Sequence, residues 1–366
     1  MTTPRSEVAL LAGAAGAIYL FHELLYKDGF LRRWLEDWMD PWIPVGTISE
    51  LHLSPVKSMR AHLVPTAHCS AWGLQVGEMI DRHLIVIEND TGKFMAAKYQ
   101  PKLVRILPTI ENGVLTLESV DNVLDPIHVS ISDAVAQNKQ RKTELYTKGQ
   151  QISGLDMGAE IGDWISKIVY DEPGKCRLLY HIVGKHTNER EMQVDTTWCP
   201  GSEGRAEPDK PIFGDENTYM LMSEGSLADL NSRFSFDGCE PYSARQFRPT
   251  ILITGCVPYE EDKWRRVKIG RECEFLNVKP CTRCVLVLVD PEKGTKAENN
   301  EPLKTLRAYR SAPAKDRAQY GYSPFFGIHL GVDRTGNVNV GDTVYAKYKK
   351  NYDESYFDEC RRETKA

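Results

Sequence analysis

Two cysteines stand three positions apart, Cys281 and Cys284, and they have the clearest chemical potential in this sequence. A Cys-x-x-Cys pair can be half of a zinc site, a thiol–disulfide couple, or a loop that presents one thiolate to a soft metal. Zinc would need two more ligands, and neither Cys256 nor Cys273 belongs to a second such pattern. A thioredoxin-like dithiol normally begins a helix after a strand, whereas the apolar run 285–289 predicts a strand after this pair. Two ordinary buried thiols are the simplest alternative.

Three cations stand where predicted strands meet loops. Lys57 follows the first predicted strand, Arg82 precedes a second and Arg248 precedes a third. Side chains at such boundaries converge on binding sites more often than those inside regular elements. Each cation alone is more readily explained as a surface residue. Together with a cysteine-bearing loop, they predict a pocket for a phosphate and a metal.

Five motifs occur in a fixed order between residues 45 and 345. They are Ser54-Pro55-Val56-Lys57-Ser58, Asp81-Arg82, Phe247-Arg248-Pro249, Cys281-Thr282-Arg283-Cys284 and Gly321-x-Ser323-Pro324-x-Phe326-Gly327. This combination resembles the MOSC-domain proteins, and most closely the members of that family that reduce amidoximes. Any one motif would be a weak indication, whereas five in the family's order are specific.

The resemblance implies a molybdenum cofactor of the molybdopterin type, with the metal held by Cys281 as the catalytic cysteine. It also implies that Asp215 lies beside the metal as a proton donor or substrate anchor, with a turn cap as the alternative. The chain departs from the family pattern at Glu216-Asn217, where relatives have Thr-Ser, and at Thr250, where they have Asn. Glu216 would repel a phosphate, which argues against its direct contact with the cofactor. The residues assigned to cofactor binding are Lys57, Ser58, Arg82, Asn217, Arg248, Thr250, Thr282 and Arg283.

The activity implied by the resemblance is the reduction of N-hydroxylated compounds, such as amidoximes and hydroxylamines. Electrons would come from NADH through cytochrome b5 and its reductase, since no Gly-x-Gly-x-x-Gly nucleotide motif follows a predicted strand. One alternative is a MOSC module that carries a molybdenum cofactor or sulfur without turnover of its own. A thiol-redox protein built on the Cys-x-x-Cys pair is another.

Composition excludes several other classes. The 366 residues include 41% hydrophobic and 27% charged residues, which is typical of a globular protein. The net charge is −5 and no basic stripe stands out, so no nucleic-acid partner is expected. Nine cysteines, an odd and unevenly spread set, do not form a disulfide pattern, and we expect reduced thiols.

Residues 8–21 form an uncharged, largely apolar run that His22 and Glu23 interrupt. A membrane-spanning helix needs about 20 apolar residues, so this run is a marginal anchor. The nearby cations lie mainly after it, and by the positive-inside rule this leaves the bulk of the protein in the cytosol. Together with the resemblance, this predicts a signal anchor in the mitochondrial outer membrane with the catalytic part facing the cytosol. A cleaved signal peptide is the alternative.

The remaining patterns predict a mixed α+β protein with a β-rich N-terminal domain after the anchor, and the resemblance implies that a MOSC β-barrel domain with flanking helices follows it. Asn112-Gly113 predicts a β-hairpin, and 157–169 has the periodicity of an amphipathic helix. Ser226 begins a capping-box spacing and predicts a helix start, while the polar stretch 184–210 predicts a lid or a disordered segment. The domains expected are 1–44 (signal anchor and linker), 45–175 (N-terminal β-rich domain), 176–348 (MOSC domain) and 349–366 (charged, frayed tail).

Overall fold

β-Strands make up most of the regular structure, as the short apolar runs of the sequence predict. The computed structural model describes residues 38–145, 151–188, 190, 192–199, 209–236 and 240–363. From Pro44 onward the chain forms one compact unit. Among the helices of the described residues, none has both the length and the apolarity needed to cross a membrane. The anchor predicted at 8–21 lies outside the described residues.

Helices are few and short beside the strands, so the mixed α+β class is confirmed. The strands are β1 (Ile43–Leu53), β2 (His62–Leu63), β3 (Thr66–Ser70), β4 (Gly73–Val76), β5 (Met79–Ile80), β6 (Leu84–Glu88), β7 (Ile106–Glu111), β8 (Val114–Ser119), β9 (Ile127–Ser130), β10 (Gln140–Glu144), β11 (Gln151–Asp156), β12 (Cys176–Tyr180), β13 (Tyr219–Ser223), β14 (Ile251–Thr254), β15 (Trp264–Ile269), β16 (Cys273–Thr282), β17 (Val289–Asp290), β18 (Thr295–Lys296), β19 (Phe325–Arg334), β20 (Gly336–Asn339) and β21 (Thr343–Tyr348). The α-helices are α1 (Ile131–Gln137), α2 (Ala159–Tyr170), α3 (Glu224–Asn231), α4 (Ala244–Phe247), α5 (Leu303–Arg310), α6 (Arg317–Tyr320) and α7 (Asp358–Glu363). Short 3-10 turns cover Pro101–Arg105, Glu260–Lys263, Val285–Leu288 and Ala314–Asp316.

A set of strands closes into a barrel, and this barrel contributes one end of the candidate active site. The strand order is β14, β13, β19, β16, β15, β21 and β1, and β1 pairs back with β14. β13 and β14 run parallel, and α3 and α4 lie in the crossover that a parallel pair requires. Side chains such as Leu51, Leu221 and Phe275 are fully buried in one continuous core.

Smaller sheets complete the unit. β10, β11, β12 and β6 form one, β20, β3, β4 and β5 form another, and β7, β8 and β9 form a third. The hairpin predicted at Asn112-Gly113 is confirmed as the β7–β8 turn. Both residues have positive φ, as a two-residue type I′ turn requires. The amphipathic helix is confirmed as α2, whose apolar residues Ile161 and Ile165 are fully buried.

The strand predicted directly after the cysteine pair is wrong over most of its length. Val285–Leu288 form a 3-10 turn, and only Val289–Asp290 pair as a strand, with β18. A short apolar run has no periodicity that separates strand from helix, and Val287 and Leu288 pack in a second core cluster rather than in a sheet. The cysteine pair therefore stands between a strand end and a turn. Its position no longer argues against a dithiol, so the surroundings of each thiol must decide.

The predicted start of the helix at Ser226 is also wrong. α3 begins at Glu224, and the hydroxyl of Ser223 caps it by accepting a hydrogen bond from the Ser226 N–H at 3.1 Å. The Ser226 hydroxyl instead donates to the buried carboxylate of Glu261 at 2.8 Å. Both serines are good capping residues, so the side-chain types alone did not distinguish them.

The C-terminal tail is folded as far as residue 363, so the prediction that it is frayed is wrong for its described part. Phe357 and Cys360 are buried. The Phe357 ring meets the ring of Phe325 edge-on, with 5.7 Å between centroids. The high charge of the tail concealed these two apolar positions, which attach it to the start of β19.

Arg310 joins this tail to the barrel and is 1% exposed. Its guanidinium pairs with the buried carboxylate of Asp262, and its Nε donates to the Phe325 carbonyl at 2.9 Å. The guanidinium also lies 3.9 Å from the centroid of the Phe357 ring. Within the described residues, Oδ1 of Asp262 has no hydrogen-bond partner. Lys349 donates to the backbone carbonyl of Asp262 at 2.8 Å, whereas Arg310 pairs directly with the carboxylate.

Replacing Arg310 with Met should lower the free energy of unfolding, measured in urea, by about 3–5 kcal/mol, because a buried carboxylate loses the cation that pairs directly with it. The matched control is Arg361→Met, which removes a half-exposed ion pair with Asp358. It should cost about 1 kcal/mol or less. Equal losses in the two variants would contradict the role assigned to Arg310.

Candidate active site

All ten residues assigned to the site from the sequence line one cavity of about 320 Å³. They are Lys57, Ser58, Arg82, Asp215, Asn217, Arg248, Thr250, Cys281, Thr282 and Arg283. Residues without a sequence assignment complete the lining: Lys98, Gln193, Glu216, Thr218, Met220, Gln246, Phe247, Cys284, Leu286, Val287 and His329. The cavity thus gathers loops and strand ends that are far apart in the sequence.

Two segments joined through their backbones build the cationic side of the cavity. The N–H of Arg82 donates to the carbonyl of Ser54 at 2.7 Å, and the N–H of Lys57 donates to the carbonyl of Leu84 at 2.8 Å. The carboxylate of Asp81 accepts from the Ser54 N–H at 2.8 Å. These bonds place the first two sequence motifs side by side.

Three site residues have a left-handed backbone. Their φ angles are +71° at Ser58, +55° at Arg82 and +54° at Arg248. Such a conformation costs a non-glycine residue on the order of 1–3 kcal/mol and persists only where the surroundings impose it. Because all three residues line one cavity, we infer that the strained backbone is maintained because it directs their side chains into that cavity.

Lys57 is buried and pairs with Asp215. Burial lowers the pKa of Lys57 to about 8 in spite of this partner. The Asp215 side chain is 47% exposed as it lines the cavity. Desolvation by the cavity walls would raise the pKa of Asp215, but Lys57, Arg82 and Arg190 hold it well below its usual range. Asp215 is therefore a carboxylate at neutral pH, which argues against the proton-donor interpretation, while the substrate-anchor and turn-cap interpretations stay predictions.

Arg190 fixes the loop that carries Asp215. Its guanidinium donates to the carbonyl of Ile212 at 3.0 Å and to that of Asp215 at 2.6 Å, and it also bonds the carbonyl of Gly214. Arg190 belongs to the stretch predicted as a lid or disordered segment. Gln193 of the same stretch lines the cavity, and its N–H donates to Oδ1 of Asn217 at 2.9 Å.

Arg82 and Arg248 form a second cationic group. Arg82 pairs with Asp81, and its Nη2 lies 3.4 Å from the carbonyl oxygen of Arg248. The Arg248 guanidinium donates to the carbonyl of Met59 at 2.9 Å. Burial, and after it the charge of Arg82, lowers the pKa of Arg248 to about 10. An anion between the two guanidinium groups would relieve this repulsion, and a phosphate has the matching geometry.

Cys281 lies near the end of β16 and is 5% exposed. The register between β16 and β19 shifts between Pro280 and Thr282, on either side of this cysteine. Gly327 of β19 has a φ of +82°, and a Cβ added there would lie 2.6 Å from the carbonyl oxygen of Leu221. The irregularity re-aims side chains at the strand end, as bulges near active sites do, and it requires a glycine.

Arg283 holds this strand end in place. Its Nε donates to the carbonyl of Phe326 at 2.8 Å, and its Nη1 donates to that of Phe247 at 2.9 Å. Since these hydrogen bonds go to the protein backbone, Arg283 affects the cavity chiefly through its charge and by fixing Cys281.

The thiol of Cys281 is surrounded by charges. Burial alone would raise its pKa, but Arg283 and His329 lower it below its ordinary value. Burial would lower the pKa of His329, but Cys281 and Glu216 raise it to about 9. At neutral pH His329 is therefore an imidazolium, and its charge together with that of Arg283 favours the thiolate form of Cys281. Glu216 Oε2 lies 2.8 Å from Nζ of Lys279 and 3.3 Å from Nε2 of His329.

Sequence reasoning missed His329 and Lys279 as site residues. A single histidine in an apolar strand has no spacing signal of its own, and neither has the single lysine two residues before Cys281. The register between β16 and β19 places the two opposite each other. That pairing is a tertiary feature, which the sequence pattern of either strand does not contain.

The cavity also contains buried polar atoms that have no hydrogen-bond partner among the described residues. These include Nδ2 of Asn217 and Oγ1 of Thr218. By contrast, the hydroxyl of Thr250 accepts from the N–H of Met220 at 3.2 Å. A buried donor or acceptor without a partner costs roughly 1–3 kcal/mol, so the free amide and hydroxyl mark a wall where a polar bound group fits.

The protein side chains in the cavity fit a metal ion that is bound mainly by the ligands of an organic cofactor. In the part of the chain that the structure describes, no three His, Cys, Asp or Glu residues are grouped so as to hold a metal ion. Cys281 is buried whereas Cys284 is exposed, and both are free thiols. A single soft thiolate suits a metal whose other ligands belong to an organic cofactor.

Family models match both halves of the chain. Residues 45–172 match the MOSC N-terminal beta barrel domain, and residues 208–345 match the MOSC domain. The fold and cavity described above are thus those of a MOSC-domain protein. The chain is 35% identical to mitochondrial amidoxime-reducing component 1 of Homo sapiens, over 82% of this chain and 83% of the relative. It is 31% identical to the protein of that name from Danio rerio, over 93% and 94%. The chain belongs to the family of mitochondrial amidoxime-reducing components, and the resemblance noted in its sequence is confirmed.

Replacing Gly327 with Ala should lower the free energy of unfolding in urea by more than the same change at Gly321. Both glycines have positive φ, which costs an L-residue about 1–2 kcal/mol. At Gly321 a Cβ has no neighbour within 4 Å, whereas at Gly327 it would also meet Met220 Cε at 2.7 Å. Equal losses at the two positions would contradict the close packing assigned to Gly327.

Proposed function

We propose that this protein is an oxidoreductase that binds a molybdenum cofactor through Cys281 and reduces N-hydroxylated compounds. The observation that carries the proposal is the state of this thiol. Cys281 is buried at the wall of a cation-lined cavity, and its pKa is lowered by Arg283 and His329. A thiol buried at the wall of a cavity and next to two cationic side chains is suited to bind a soft metal as its thiolate, unlike an inert core thiol.

The cations of the cavity would hold the organic part of the cofactor. Lys57, Arg82 and Arg248 line the cavity and would bind its phosphate. One guanidinium group can donate two parallel hydrogen bonds to the oxygens of a phosphate. Ser58 and the free amide of Asn217 supply further polar contacts. Thr282 follows the proposed metal ligand in the sequence. Thr250 and Arg283 stabilise the wall of the cavity through their hydrogen bonds to the backbone.

The reaction consumes two electrons and two protons, breaks the N–O bond, and releases the oxygen as water. When bound, the cofactor supplies the two-electron exchange. The protein encloses the reacting group in the cavity and orients it. Asp215, a carboxylate held by Lys57, anchors the substrate or cofactor through its charge and does not act as an acid. An apolar wall that includes Leu286 and Val287 can accept a hydrocarbon group.

The electron donors we propose are cytochrome b5 and its NADH-dependent reductase, as in the family resemblance. The location we propose is the mitochondrial outer membrane, with the catalytic part of the chain facing the cytosol. Similar proteins from Homo sapiens and Mus musculus are named mitochondrial. A shared membrane surface would raise the effective concentration of the redox partners.

The full-length protein, purified from a host that makes molybdenum cofactor, should reduce benzamidoxime when it is combined with cytochrome b5, its reductase and NADH. We expect Cys281→Ser to reduce NADH oxidation to the background rate, because the metal loses its protein ligand. Cys284→Ser is the matched control and should remain active, since its thiol is exposed.

A Cys281→Ser variant that keeps wild-type activity would overturn the proposal. A wild-type protein that contains molybdenum but reduces no N-hydroxylated compound would instead favour the alternative, a non-catalytic cofactor or sulfur carrier.

A further inference from the structure

Glu216 is the second acidic residue in the cavity lining, and unlike Asp215 it lies on the side of the thiol. Its side chain is 28% exposed and lines the cavity. Glu216 and Cys281 both lie against His329, so the carboxylate stands on the thiol side of the site. This position is one of those where the chain departs from the family pattern.

The carboxylate of Glu216 keeps unused capacity to accept hydrogen bonds. Its Oε2 lies within ion-pair distance of Lys279 and His329, at 2.8 and 3.3 Å. Neither contact has the angles of a hydrogen bond, and Oε2 has no hydrogen-bond partner among the described residues. A carboxylate has about four acceptor positions, so a donor that enters the cavity finds an oriented anion there.

Glu216 also divides the cavity into two functional sides. A phosphate is repelled by a carboxylate and attracted by Lys57, Arg82 and Arg248, so it belongs on the cationic side. The side that remains, next to Cys281, has an anion and the nearby apolar residues Leu286 and Val287. This combination fits an organic molecule that has N–H donors or a positive charge near its reacting nitrogen.

We propose that Glu216 determines substrate choice by binding the amino group next to the N–O bond, so that this protein prefers amidoximes and N-hydroxyguanidines to oximes without that amino group. The inference rests on the proposed function. In this reaction, the amidoxime R–C(NH₂)=N–OH takes up two electrons and two protons and gives the amidine R–C(NH₂)=NH and water. The N–O bond breaks, an N–H bond forms, and the NADH-dependent donors supply the electrons. The amidine product is cationic once protonated and is also complementary to Glu216.

The kinetic test compares benzamidoxime with benzaldoxime, which has the same ring and N–OH group but lacks the amino group. For the metal-loaded Glu216→Ala variant we expect the ratio of kcat/KM for benzamidoxime to kcat/KM for benzaldoxime to fall by about 10-fold to 100-fold, the range of a charge-assisted hydrogen bond. A loss that arises through Lys279 or His329, which Glu216 contacts, affects both substrates and cancels in this ratio, whereas only benzamidoxime has the amino group that binds Glu216. Glu216→Gln, which keeps the shape and one acceptor, should show a smaller loss with the same selectivity.

A binding measurement gives a readout that does not depend on turnover. Calorimetric titration of the metal-loaded protein with benzamidinium should show binding that weakens in Glu216→Gln and Glu216→Ala. Benzamide, an uncharged analogue, should bind all three proteins alike. Molybdenum content, measured in each sample, confirms that the variants are equally loaded.

The outcomes separate the two proposals. If the wild type reduces benzamidoxime and both substrates lose kcat/KM equally in Glu216→Ala, Glu216 only supports Lys279 and His329, and the inference is overturned while the proposed function stands. The same holds if benzamidinium binding is unchanged in the variants. If the wild type reduces neither substrate, the proposed function itself fails.

Discussion

The cavity brings together buried positive charges, and the surrounding structure has to balance them. Lys57 and Arg248 have lowered pKa values because burial disfavours their charged forms. The chain offsets part of this cost with Asp81 and Asp215, each paired with a cation. Ion pairs of this kind are seldom a net source of stability, so their concentration in one cavity indicates a site maintained for binding an anion.

The same balance explains why the two ends of the cavity differ. At one end, left-handed residues in two joined loops direct Lys57 and Arg82 inward. At the other end, the barrel presents the thiol of Cys281 beside Arg283 and His329 on an irregular strand pair. The proposed pterin-based molybdenum cofactor would match both ends, because it combines a phosphate with a soft metal, whereas a simple metal ion or a free phosphate would match only one.

Much of this site was predictable from the sequence, because its cations and cysteine lie in short motifs at strand ends. The hairpin at Asn112-Gly113 and the helix α2 were predictable from local periodicity. His329 was not, because its contact with Cys281 depends on the register of β19 against β16. The 3-10 turn Val285–Leu288 was missed because a short apolar run fits a strand equally well. The tail was missed because its two buried apolar positions stand among charges, and only the packing on Phe325 reveals them.

The central claim is that one thiolate, that of Cys281, is the protein ligand of a molybdenum cofactor. The most direct test is the molybdenum content of wild-type, Cys281→Ala and Cys284→Ala proteins purified from a cofactor-competent host. The account predicts stoichiometric molybdenum in the wild type and in Cys284→Ala, and its loss in Cys281→Ala. Molybdenum retained in Cys281→Ala, or absent from the wild type, would contradict it.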